Sequence, residues 1–129
     1  MIAIDTNVVV RLLTRDDADQ YEKAYRLFKK QDVFIGDTVI LETEWVLRFA
    51  YEYSPAQITQ AFTGLFGLAN VHISQPMAVA QAIDWHQQGM DFADALHLAS
   101  SQQLKKFYTF DKKFQASAKR ITEREVLSP

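Results

Sequence analysis

Ile2-Ala3-Ile4-Asp5-Thr6-Asn7-Val8-Val9-Val10-Arg11-Leu12-Leu13 decides the fold class of this chain. A short apolar run without alternation, stopping at an aspartate, reads as a strand buried on both faces. The stretch through Val8 to Leu13 reads as the helix that follows it. The same unit recurs. Val33-Phe34-Ile35-Gly36 is a second short strand closed by glycine, ahead of a helix that carries Glu42 and Trp45 to Phe49. Val71-His72-Ile73 is a third strand, ahead of a helix opened by Pro76 and stopped by Gly89. Phe107-Tyr108-Thr109-Phe110 leads into a short helix over Lys112 to Lys119. Short strands alternating with helices imply parallel pairing with helices on both faces.

The remaining segments fit between these units. Asp17 to Lys30 places Tyr21, Ala24, Tyr25, Leu27 and Phe28 on one helical face. Ser54-Pro55 supplies a cap and first position for a helix bearing Ile58, Phe62, Leu65 and Phe66. Phe92 to Lys105 is apolar almost all round and is expected to form one buried helix. Glu125-Val126-Leu127 closes the chain as an edge strand. The expected architecture is α/β: one three-layer α/β/α domain over residues 1–129, with a short-stranded, mainly parallel sheet.

With 129 residues, 48% of them apolar and 23% charged, the chain can bury a core and is not a disordered one. The absence of cysteine excludes disulfides and zinc–thiolate sites. No apolar run approaches the roughly 20 residues of a membrane span. The first residues lack the basic and long apolar regions of a signal peptide, so a cytoplasmic location is expected. A net charge of −2 argues against a general nucleic-acid coat protein. It leaves room for an enzyme that holds its target through a metal and a local basic patch, with Arg11, Arg15, Lys112 and Lys113 as candidates.

Acidic residues at strand ends and helix starts carry the chemistry. Asp5 and Asp111 each end a strand, the position where open parallel sheets bind ligands. Each also has the sequence context of a helix N-cap, which taken singly is the stronger reading. Glu42 falls on a helix face with Trp45, Val46 and Phe49, so its carboxylate is expected to lie on an apolar stripe and need compensation. Glu44, with Arg48 at i+4, is expected to sit solvated on the polar face. Asp91 reads as a cap and Asp94, entering an otherwise apolar helix, as a ligand. Carboxylates gathered at one rim repel each other unless a hard divalent cation sits among them. Metal, water and carboxylates together perform phosphodiester hydrolysis. His72, His86 and His97 have no metal-ligand spacing and read as packed or surface residues.

The ordered set Ile-Asp-Thr-Asn at 4–7, Leu-Glu-x-x-Trp-Val-Leu at 41–47, Asp-Phe-Ala-Asp-Ala-Leu-His-Leu-Ala at 91–99 and Thr-Phe-Asp at 109–111 resembles the PIN-domain nucleases. It resembles most closely the VapC-type toxins of toxin–antitoxin pairs, over nearly the whole chain. The resemblance implies a metal-dependent endoribonuclease. Asp5, Glu42, Asp94 and Asp111 match the family's acidic positions and would hold Mg2+ or Mn2+. Thr6, Asn7 and Thr109 would support those carboxylates or the scissile phosphate. It further implies an RNA substrate, a small antitoxin protein as partner and a homodimer, for which Leu65 and Phe66 offer bulky apolar surface.

Two other classes compete. One is a catalytically inactive PIN-like interaction module whose aspartates are only caps. The other is a phosphoryl-transfer protein with Asp5 as nucleophile. The phosphatases of that kind place a second aspartate two residues on, where this chain has Asn7.

Overall fold

Strands of two or three residues make few ladder hydrogen bonds, so their helices and junctions must hold them in register. A computed structural model describes residues 1–129. They form two compact units, Met1–Ser74 and Gln75–Pro129.

In the first unit, β1 (Ile2–Ala3), β2 (Val33–Phe34) and β3 (Val71–His72) form a parallel sheet in that order. Helices α1 (Thr6–Thr14) and α2 (Ala18–Lys30) connect β1 to β2. Helices α3 (Asp37–Ala50) and α4 (Pro55–Phe66) connect β2 to β3. The starts of these helices follow from sequence. The Asp17 carboxylate accepts the Gln20 N–H and opens α2, and Ser54 and Gln57 form a reciprocal capping box ahead of Pro55. Asn70 then ties the approach to β3 to the end of α2 by donating to the Phe28 and Gln31 carbonyls. The core is Val9 and Val10 of α1, Val33 and Ile35, Ile40 and Leu47 of α3, and Ile58, Phe62 and Leu65 of α4. Each such side chain stabilises the fold by roughly 1.5–3 kcal/mol on burial.

Two expectations are overturned here. Leu65 is buried and Phe66 packs on Phe62 with ring centroids 5.3 Å apart, so neither offers the free surface expected of them. More consequentially, the inward face of α3 is Ile40, Thr43, Glu44 and Leu47. Glu42 is exposed, as are its companions Trp45 and Phe49, both at 58%. Glu44 is the buried carboxylate, at 2%. Two aliphatic residues seven apart set the rotation of the helix, and Arg48 makes the result tolerable. Its Nε and Nη2 donate to the two Glu44 oxygens at 2.8 and 3.3 Å, neutralising the charge that burial would otherwise penalise.

In the second unit, α5 (Pro76–Gln87) packs on α6 (Phe92–Ala99), and β4 (Lys106–Tyr108) pairs in parallel with β5 (Glu125–Leu127) across α7 (Lys112–Ile121). Gly89 turns the chain between α5 and α6 at φ +118°, with the Arg120 guanidinium against it. The α6 helix ends at Ala99, well short of the expected Lys105. The Ser101 hydroxyl turns back to the His97 and Leu98 carbonyls, competing with helix continuation. The carbonyls freed there are taken by Arg124, which donates to those of Leu98, Ser101 and Leu104 at 2.8, 2.9 and 3.0 Å. No helix is long and apolar enough to cross a membrane.

The two glutamates of α3 should part company in denaturation. Arg48→Met strands the buried Glu44 carboxylate and should lower the urea unfolding free energy by about 3 kcal/mol. Glu42→Ala, on the exposed face, should stay within about 0.5 kcal/mol of wild type.

Candidate functional site

Each unit positions two of the sequence-selected carboxylates. In the first, Asp5 leaves the carboxyl end of β1 and Glu42 stands on the helix that leaves the carboxyl end of β2, the parallel neighbour of β1. Asp5 is the N-cap of α1, its Oδ1 accepting the Val8 N–H at 3.2 Å. Its second oxygen has no partner, so capping fixes the orientation of the carboxylate while leaving one oxygen available.

The second unit repeats the device. Asp111 leaves β4 and caps α7, accepting the Phe114 N–H at 3.0 Å. The Thr109 hydroxyl accepts the backbone N–H of Asp111 at 3.0 Å and so braces the junction rather than the carboxylate. Asp91 is the cap of α6, and what it caps is the N–H of Asp94, at 3.2 Å. Asp91 is thus the cap read from the sequence, and the Asp94 carboxyl caps nothing.

Asp94 is the electrostatic exception. Its carboxyl is half-buried and pushed up to about 6, by burial first, then by the negative charges of Asp91 and Asp111, with His97 opposing. No hydrogen bond to its side chain offsets this. The donor set is hard and anionic, which suits a divalent cation. No group of three or more histidine, aspartate or glutamate side chains stands ready in the structure to hold one.

The candidate basic residues differ in how far they are committed. Arg11 is committed within the first unit: its Nη1 meets Asp16 at 3.1 and 3.3 Å and the Tyr51 hydroxyl at 3.0 Å, and its Nε meets Gln20 at 2.6 Å. Arg15 lies over the Tyr21 ring, 4.8 Å from its centroid. Lys112 and Lys113 are exposed on the first turn of α7. A cleft beside Asp5 is lined by Asn7, Arg11, Gln20 and Lys23. Gln20 and Lys23 were not singled out from sequence, yet Gln20, Lys23, Ala24 and Leu27 share one helical face by spacing alone. Of the histidines, His86 is packed, its Nδ1 2.8 Å from the Met90 carbonyl and its ring edge-on to Phe92. His72 and His97 are exposed.

Residues 2–120 match the PIN domain family, and the chain belongs to it. Among solved structures, the crystal structure of the Mycobacterium tuberculosis toxin VapC20, which cleaves the sarcin–ricin loop, is similar at 21% identity with a TM-score of 0.44. That match covers 91% of this chain and 95% of the other. No curated protein matches. The helix-rich α/β architecture with short parallel strands is the one expected from sequence.

The Asp94 carboxyl makes stability depend on pH in a definite direction. The folded state holds the Asp94 proton up to about pH 6, whereas a free aspartate loses it near 3.8. Its contribution is therefore most favourable below pH 4 and is lost as pH rises through 6. In EDTA, Asp94→Asn should flatten this slope. At pH 7.5 it should melt roughly 3–5 °C above wild type, the equivalent of about 1 kcal/mol after allowance for solvent at a half-buried group. Thermal melts from pH 4.5 to 7.5 test this, and equal slopes would remove the electrostatic reading.

Proposed function

We propose that this PIN-domain protein is a Mg2+- or Mn2+-dependent endoribonuclease, the toxin of a type II toxin–antitoxin pair. Asp94 carries the reading. It is a half-buried carboxyl with like charges beside it and no hydrogen bond to its side chain, in a chain of the PIN domain family. Asp5, Glu42, Asp94 and Asp111 are the proposed ligands. A divalent cation bound there supplies activated water and neutralises charge developing on the phosphoryl oxygens. The protein's own part is to orient Asp5 and Asp111. Asp5 and Asp111 each spend one oxygen on a helix N-terminus and keep the other for the ion. Glu42, exposed on α3, needs no such restraint from burial. Asn7 and Thr6 at the start of α1 are suited to bonding the scissile phosphate.

Trp45 and Phe49, exposed together on α3 with centroids 5.1 Å apart, support the partner half of the proposal. Exposed aromatics of that size are enriched at protein interfaces. We assign them to the antitoxin or to the second copy of a homodimer, in place of Leu65 and Phe66. The proposed setting is the cytoplasm.

A second reading, an inactive PIN-like interaction module, draws on one observation: Asp5, Asp91 and Asp111 are all accounted for as caps. Activity and ion binding separate the two. Purified protein should cleave RNA with Mg2+ or Mn2+ and stop in excess EDTA. Asp94→Asn should reduce cleavage by at least a hundredfold with an unchanged circular dichroism spectrum. At about ten times its dissociation constant the ion should stabilise wild type by roughly 1.4 kcal/mol, and the mutant much less. Cleavage that persists in EDTA would refute the metal mechanism, and no cleavage with no ion-induced stabilisation would establish the module.

A further inference from the structure

The cleft beside Asp5 has a volume of about 320 Å3 and is bounded by α1 and α2. One wall carries two cations, Arg11 and Lys23. Arg11 is held by Gln20, Asp16 and Tyr51 through Nε and Nη1, which leaves only its Nη2 amino group uncommitted. A guanidinium fixed in this way has already lost its rotamer freedom, so a ligand that meets it does not bear that cost. Lys23 stands further out, 72% exposed, in an i, i+4 pair with Asp19 at 3.0 Å. Asp16 and Asp19 balance the charges of Arg11 and Lys23, and Asp5 also lines the cleft, so the wall offers directed N–H donors rather than net positive charge and suits a singly charged group better than a dianion. Val8 and Leu27 give the cleft an apolar floor. Gln20, whose amide oxygen is taken by Arg11, keeps its amino group as a donor, and Asn7 offers both a donor and an acceptor.

A singly charged phosphodiester, a flat apolar face and a hydroxyl or base edge able to donate and accept describe one nucleotide of a single RNA strand. We propose that this cleft is a substrate subsite for the nucleotide adjoining the scissile bond. Its phosphodiester lies on Arg11 and Lys23, its sugar or base edge on Gln20, and its apolar face on Val8 and Leu27. The assignment rests on the ribonuclease reading above and adds to it the residues that hold the strand.

Lys23→Gln tests it without disturbing the fold, because that side chain is exposed. Lys30→Gln, on the same helix and outside the cleft, is the control of equal charge. In steady-state cleavage of an RNA oligonucleotide, Lys23→Gln should raise KM about 3- to 10-fold with kcat within twofold of wild type. In anisotropy titrations of labelled RNA against the Asp94→Asn protein, adding Lys23→Gln should reduce the slope of log affinity against log salt by about 0.7. Lys30→Gln should change neither. Arg11→Lys, which keeps the charge and loses the planar fork, should raise KM as well. If Lys23→Gln behaves as Lys30→Gln does in an enzyme that cleaves RNA, the subsite is overturned and the ribonuclease stands. If wild type neither binds nor cleaves RNA, both fall.

Discussion

Four helices of this protein begin in the same way, with an aspartate carboxylate accepting the N–H three residues on: Asp5 for α1, Asp17 for α2, Asp91 for α6 and Asp111 for α7. The strands are too short to set geometry by themselves. The direction in which the chain leaves each of them is set by these junctions and by the packing of the helices they start. An N-cap of this kind contributes about 1 kcal/mol and also satisfies a donor that would otherwise be unpaired. Its second effect is chemical, because it immobilises an anion at the carboxyl end of β1 and again at that of β4. Capping and ligation had read as alternatives in the sequence. At Asp5 and Asp111 the structure makes them compatible, since each uses one oxygen of two.

Much of the fold was legible because its signals are local. Ser54-Pro55, Asp91, Gly89 and the apolar stripes of α2, α4 and α5 each announce a boundary or a face within a few residues. What stayed hidden needed neighbours distant in sequence. On α3, both candidate faces mix apolar residues with a glutamate, and the i, i+4 pair with Arg48 fits a solvated or a buried carboxylate equally well. Only packing against α1 and α4 selects the rotation that buries Glu44 and exposes Trp45. Glu42 therefore faces solvent, and desolvation gives its carboxylate no need of a cation. Similarly, the apolar run from Phe92 gave no hint that the helix would stop at Ala99, because the carbonyls left over there are satisfied from Arg124, 20 to 26 residues away.

Cation placement shows the same limit. Arg11 reads from sequence as a free basic residue and is instead the centre of a network with Gln20 of α2, Asp16 of the turn before it and Tyr51 just past α3. Its sequence neighbours say nothing of Tyr51, forty positions on. The network joins α1 to α2 and to the end of α3, so the shape of the cleft beside Asp5 depends on it.

Arg124 has a dynamic consequence. Three carbonyls at and beyond the end of α6 depend on one guanidinium that sits at the entrance to β5. When β5 peels from β4, the guanidinium leaves with it, and the carbonyls at and beyond the end of α6 lose their donor together. Fraying of the terminal strand and loosening of the helix that bears Asp94 are thus one cooperative opening, so amide protons in both segments should exchange with the same free energy.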